Sequence, residues 1–543
     1  MKKQLFILFW AISFGAFAQK VNVPSSVKRA MDQIDTVTIR NHIAYLADDK
    51  LLGRKPGTEG YQLAVDYVVN EFKKMGVQPG GDPGQYTQKL ILRNTVVSNS
   101  SAKAFLSDVQ ENIDSLVFGT DFLPYANPLA AQATGEGKLV FAGYGVDIPG
   151  FYSDYEGIDV KGKVVVMVAG VPDGIPASTL VSHFTSPGNK LNIAFEKGAI
   201  GAILVYPMNS FPNPNPVIQS NVALNPEKTV AYGRGFNGNL NFALTSNRAF
   251  LNRLFLNSGK NLEGTLEAIK ARKNSSFEFP FSLTASYTNN FSEFESENVI
   301  GLIPGSDPKL KSEYVVHSAH LDHVGIGRVV DGDSIYNGAH DNASGVAALL
   351  EIARIYAKGG AKPKRSILIV MVTAEEMGLV GSSYFASNPT VPKSATVANV
   401  NTDMPTVIAP LLSIVPLGAE HSSIMGNVDF AADYLGLEIE ADPEPEQNRF
   451  VRSDQYSFVT NGIPALHIKY GNKSNIPGFD MDAFIKEWRA KYYHRAADGI
   501  DGIFDFAAAK TYVQLNFLIS YSIAQSPNRP TWNSGDLFGS KRR

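Results

Sequence analysis

The chain has 543 residues, 44% of them hydrophobic, with 49 basic and 52 acidic side chains and a formal net charge of -3. That length supports more than one folded unit, and the near-balance of charge lacks the basic excess of a nucleic-acid binder. No cysteine is present, which excludes disulfides, thiolate metal ligands and lipid attachment through an N-terminal cysteine.

Residues 1–18 read as an export signal. Lys2 and Lys3 precede an apolar stretch from Leu5 to Phe14, and Ala16-Phe17-Ala18 forms a small-x-small cleavage site. The stretch is shorter than the roughly 20 residues of a membrane span. The mature chain is therefore expected to lack a membrane anchor and to be periplasmic or extracellular. Residues 38–76 read as two helices about the breaker-rich loop Gly53-Arg54-Lys55-Pro56-Gly57-Thr58. Between about 95 and 290 the texture changes to short β-like runs with frequent Gly, Pro and Asn, which predicts a β-rich domain inserted into the main one.

From about 296 the pattern becomes regular. Strands are predicted at residues 299–303, 314–318, 366–372, 396–401 and 465–470, with helices at 344–356 and 504–523. This alternation predicts an α/β class: a three-layer α/β/α sandwich about a mixed, mostly parallel sheet. The domain plan is 19–95 with 290–525 as the main domain, 96–289 as the insertion, and 526–543 as a loosely docked or mobile tail.

Five segments carry chemistry, and each is read as falling where a predicted strand ends. Open α/β sheets place ligands at the carboxyl ends of strands. His317-Ser-Ala-His320-Leu-Asp322-His323 sets a carboxylate two residues from a histidine, a spacing that suits a metal ligand and the acceptor for its other ring N–H. A satisfied polar cluster is the plain alternative. Asn337-Gly-Ala-His340-Asp341-Asn342-Ala-Ser344-Gly345 is a turn into a helix, which alone reads as capping. Glu375-Glu376 follows an apolar strand, where two acids are costly to bury without a cation or a catalytic proton. Asn401-Thr402-Asp403-Met404 and Tyr492-Tyr493-His494 complete the set. Nitrogen and oxygen donors without thiolate suit zinc, and cobalt or manganese less well. Two divalent ions with Asp341, Glu376, Asp403 and a bridging hydroxide sum to neutrality, a way to store a nucleophile near neutral pH.

In this order the motifs resemble those of the di-zinc exopeptidases of clan MH, which include secreted bacterial aminopeptidases and the glutamate carboxypeptidase branch. Residues 51–58 resemble that family's N-terminal segment, and the insertion is similar to a protease-associated domain through Ala142-Gly143-Tyr144-Gly145 and the stretch from Gly198 to Tyr206. The resemblance implies an enzyme acting on peptide substrates with two zinc ions per chain. It implies that His320, Asp341 and Asp403 hold one zinc, and that Asp341, Glu376 and His494 hold the other. It further implies Glu375 as general base, Asp322 as the group orienting His320, and Tyr493 as a donor to the oxyanion.

Some residues depart from the family pattern. Gln455 stands where the family has a histidine, so Ser453-Asp454 receives no catalytic task. His317, His323 and His467 have no place among the implied ligands and read as supporting or structural. The leading function is aminopeptidase. The rivals are a carboxypeptidase or dipeptidase on the same site, a glutaminyl cyclase, and a binding protein with a dead site. Arg449 and Arg452, flanking the Ser-Asp segment, keep the carboxypeptidase rival open.

Overall fold

The structure is a computed structural model that describes residues 23–211, 219–225, 230–233 and 235–539. The export signal read in residues 1–18 lies outside them. The main sheet is built around Tyr314–His320 and its two parallel neighbours. Ser366–Val372 pairs on one side and Thr396–Asn401 on the other, and Ala465–Tyr470 pairs parallel with the latter. Antiparallel strands extend both flanks. Phe277–Ile303 and Thr87–Val97 lie beyond Ser366–Val372, and Ser413–Leu417 lies beyond Ala465–Tyr470. The sheet is thus mixed, with its parallel part confined to the centre.

Why Ser366–Val372 is apolar throughout is clear from its two faces. Ile367, Ile369 and Met371 enter one core, while Leu368, Val370 and Val372 enter the other. This is the period of two expected of a strand covered on both sides. The first core is closed by helices Thr36–Leu46, Glu59–Met75, Ser344–Lys358, Met425–Leu435 and Phe506–Gln525, which contribute Ile43, Val68, Leu349, Val428 and Leu518. The second is closed by Val380–Ser387 and Gln455–Thr460 through Phe385, Phe458 and Val459. Three layers result, as the sequence predicts. Among the described residues, no helix is long and apolar enough to cross a membrane.

A second sheet carries its own core, in which Phe141, Val166, Ile203, Leu244 and Phe255 are buried together. Gln132–Phe141, Val164–Val168, Gly201–Tyr206 and Phe242–Asn247 run parallel in it. The two sheets share one strand. Phe277–Ile303 is 27 residues long and pairs with the second sheet up to Thr288 and with the main sheet from Asn289 onward. Sequence alternation marked only its last residues, 299–303.

The C-terminal segment was expected to dock loosely, and it packs instead. Trp532 bridges to Ser422, His421 Nδ1 lies 2.7 Å from Asp536 Oδ2, and Phe538 is wholly buried against His183, His421 and Phe450. One aromatic side chain overrides a Pro- and Gly-rich composition. Phe538→Ala should therefore lower stability by about 3–5 kcal/mol, to be measured by equilibrium denaturation; an unchanged midpoint would mean that the tail is not anchored there.

Candidate metal centre

Three parallel strands end side by side and deliver the acidic and histidine side chains to one edge of the sheet. His320 is the last residue of its strand, Glu375 and Glu376 follow Val372, and Asp403 follows Asn401. Asp341 lies in the turn that opens helix Ser344–Lys358. That turn is tightly wound. Gly338 has φ +61°, and a Cβ there would sit 2.1 Å from the Asp341 carbonyl and 2.6 Å from the His323 ring. His494 follows helix Met481–Tyr492 at φ +52°.

Asp341 stands between two histidines. Its Oδ1 is 3.2 Å from His320 Nε2, and its Oδ2 is 3.1 Å from His494 Nε2. His320 Nε2 also lies 3.3 Å from Asp403 Oδ1, and His494 Nε2 lies 3.2 Å from Glu376 Oε2. Donors about 2.0–2.1 Å from a tetrahedral ion are separated by roughly 3.3–3.4 Å, so these spacings fit cation coordination. The five residues assigned as ligands from sequence therefore converge, with one oxygen of Asp341 directed to each side.

The electrostatics are those of a site short of positive charge. Burial disfavours a charged His320, yet its contacts with Asp341 and Asp403 hold its pKa well above the ordinary imidazole value. Burial likewise opposes His494, and Asp341 and Glu376 hold it at about 10. Burial and the negative neighbours Glu376, Asp403 and Asp454 raise Glu375 well above the usual carboxyl range, against the pull of His320. A carboxylate that holds a proton this readily has the basicity of a proton acceptor.

Other assignments change in detail. Asp322 was assigned to orient His320, but the acceptor for His320 Nδ1 is the Asp322 main-chain carbonyl, at 3.1 Å. The Asp322 carboxylate instead accepts the backbone N–H groups of Glu375 and Glu376, at 3.1 and 3.3 Å. It fixes the two glutamates rather than the histidine. Tyr493 stacks on His494 with ring centroids 3.9 Å apart, and its hydroxyl accepts a hydrogen bond from Arg452 Nη2 at 3.0 Å.

His323, read as supporting or structural, belongs to the cluster. Its Nδ1 is 2.8 Å from Glu376 Oε1, and with Asp341 and Glu376 it forms a group able to hold an ion. Its place directly after Asp322 was the only signal. His317 and His467 lie outside the ion-holding groups. His317 is a buried, neutral core histidine, pushed down to about 3 by burial, and His467 Nε2 lies 2.9 Å from the Asp403 carbonyl oxygen.

Sequence reasoning gave Arg54 no task. It is 1% exposed, and its guanidinium donates to the carbonyls of Leu321, Leu46, Asn337 and Gly338. Asp498 answers from the other side, accepting the N–H groups of His340 and Asp341 at 3.0 and 3.1 Å. Arg54, Asp322 and Asp498 together fix the main chain of every loop that carries a ligand except those of Asp403 and His494.

Residues 298–516 match the sequence model of peptidase family M28. Leupeptin-inactivating enzyme 1 of Streptomyces exfoliatus is 30% identical over 193 residues, 33% of this chain and 38% of that protein. A probable zinc metalloprotease of Pyrenophora tritici-repentis is 29% identical over 265 residues, 43% of this chain and 52% of that protein. The matched stretches thus span less than two thirds of these relatives. An aminopeptidase from Aneurinibacillus sp. strain AM-1 superposes with a TM-score of 0.49 at 17% identity, covering 93% of this chain and 97% of that one.

Arg54→Met should strand Asp322 and Asp498 without their buried counter-charge, a loss of about 3–5 kcal/mol, and should weaken metal binding. Denaturation midpoints and zinc content after dialysis would both move; a variant with wild-type values of each would show that the guanidinium frames nothing.

Proposed function

We propose that the chain, whose residues 298–516 match the model of peptidase family M28, is a zinc-dependent exopeptidase with two metal ions, an aminopeptidase that releases N-terminal residues from peptides. The observation that carries this reading is the division of Asp341 between two histidines, with Asp403 completing one donor set and Glu376 the other. His320, Asp341 and Asp403 would hold one zinc, and Asp341, Glu376 and His494 the second. When bound, such a pair lowers the pKa of a shared water and polarises the scissile carbonyl.

The chain's own residues account for the remaining chemistry. Glu375 accepts a proton from the water as its oxygen joins the carbonyl carbon. The same residue returns that proton to the leaving nitrogen as the C–N bond breaks. The backbone amides of Glu375 and Glu376, held by Asp322, keep base and ligand adjacent. Tyr493, stacked on His494 and accepting from Arg452 at its hydroxyl, would donate that hydroxyl's proton to the oxyanion.

The reading is tested on protein lacking residues 1–18. Zinc content should be two per chain, and chelation should abolish cleavage. Glu375→Gln should lower kcat by about a hundred- to ten-thousand-fold while retaining the metal. N-acetylation of the substrate should block cleavage; hydrolysis of acetylated peptides would rule out the aminopeptidase. Metal uptake near neutral pH should also release a proton from each of His320 and His494, whose pKa values both lie above the ordinary imidazole range, so affinity should rise with pH above neutrality. Calorimetry in buffers of different ionisation enthalpy reads those protons directly, and a binding heat independent of buffer would contradict the protonated resting state.

A further inference from the structure

Between the metal-bearing edge and the second sheet lies a cavity of about 540 Å³. Glu376, Met377 and Arg452 line its main-domain wall, and Tyr125, Ser182 and Phe236 from the second unit line the other. The two arginines that flank the Ser-Asp segment differ sharply. Arg449 is buried and paired with both Asp442 and Glu444. Arg452 is partly exposed, and among the described residues no carboxylate lies within 4.0 Å of its guanidinium. Its side chain donates to Tyr493 Oη at 3.0 Å. That leaves most of its five N–H donors for whatever occupies the cavity.

The position of this bare cation is informative. Tyr493 stacks on His494, so Arg452 stands one side chain beyond a ligand of the metal centre. A substrate ammonium would be repelled there and attracted instead to the carboxylates of the metal centre. An anion would be attracted, and the planar guanidinium matches a carboxylate in both charge and shape. One extended residue carries a terminal carboxylate about 3.5 Å past the scissile carbonyl; an acidic side chain on the same residue reaches further.

We propose that Arg452 is a specificity-determining residue that binds a carboxylate on the leaving-group side of the scissile bond. The preferred substrates are then peptides whose second residue presents an anion, either the terminal carboxylate of a dipeptide or the side chain of Asp or Glu. This rests on the exopeptidase reading above and adds the chemistry of the residue after the cleaved bond.

The test compares two substrate pairs in the zinc-loaded enzyme: Ala-Ala against Ala-Ala-amide, and Ala-Glu-amide against Ala-Gln-amide. In the wild type, kcat/KM should favour the carboxylate in at least one pair by about ten- to a hundredfold. The first pair reports a terminal carboxylate and the second an acidic side chain. Arg452→Met should bring that ratio close to one, and Arg452→Lys should restore part of it. Using ratios cancels any loss common to both members of a pair through the contact with Tyr493. Where turnover of Arg452→Met is too slow, the same ratios are read as dissociation constants in a Glu375→Gln background. Ratios near one in the wild type, or ratios unchanged in a folded, zinc-replete Arg452→Met, overturn the proposal while leaving the peptidase reading intact. Failure of the wild type to cleave any of the four peptides, with zinc bound, overturns both.

Discussion

A single guanidinium sets the conditions under which the rest of the site can exist. Arg54 is removed from water and satisfied by four main-chain carbonyls that belong to three different segments of the chain. Its guanidinium hydrogen-bonds main-chain carbonyls and no side chain of a ligand residue. Its role is to bring the turn after His320 and the turn before Asp341 to fixed places, while Asp322 and Asp498 hold the N–H groups of the neighbouring ligand loops. Carbonyls turn toward the cation and amides toward the two acids, so backbone dipoles as well as side chains knit the loops together.

This arrangement also explains how so many carboxylates share a small volume. Asp341, Glu375, Glu376 and Asp403 cluster there, with Asp322, Asp454 and Asp498 close behind. Burial first, and then the neighbouring carboxylates, push Asp322 and Asp498 up to about 6 and Asp454 to about 7. Arg54 and Lys469, whose Nζ donates to the Asp403 carbonyl at 3.0 Å, are the buried cations beside them. The balance is incomplete within the chain itself, and the histidines respond by holding protons. A divalent ion supplies the same charge with fixed geometry, so the donor set and the charge deficit argue for the same kind of occupant.

The sequence disclosed those parts whose cause is local. Ser366–Val372 was legible to the residue because, Ser366 apart, it is the unbroken apolar run of a strand buried on both faces; Thr396–Asn401 and Ala465–Tyr470 are buried strands that carry Asn399, Asn401, His467 and Lys469 among their apolar residues. The ligands were legible because each lies at the end of such a strand or at a turn into a helix. What depends on distant partners was not legible. Arg54 lies in a breaker-rich loop and meets its carbonyl partners at Asn337 and Gly338 across more than 280 residues. Asp322 shows the same limit: spacing placed its carboxylate next to His320, but the fold turned the carbonyl there and sent the carboxylate to the glutamate loop. The shared strand escaped notice because its middle, Asn289 to Asn298, is largely polar and held by pairing with Thr87–Val97 rather than by an apolar face.

That shared strand governs how the cleft can move. Units joined by flexible linkers swing about them, but here a continuous ladder of main-chain hydrogen bonds runs from one sheet into the next, along a strand roughly 90 Å in contour. Such a beam resists bending in the plane of its sheet and yields most readily by twisting. Access to the cavity that separates Arg452 from Phe236 is therefore a torsional property. The gap should widen or narrow as the beam winds or unwinds between its two ends, and stiffness in residues far from any ligand would set the rate at which substrates enter and products leave.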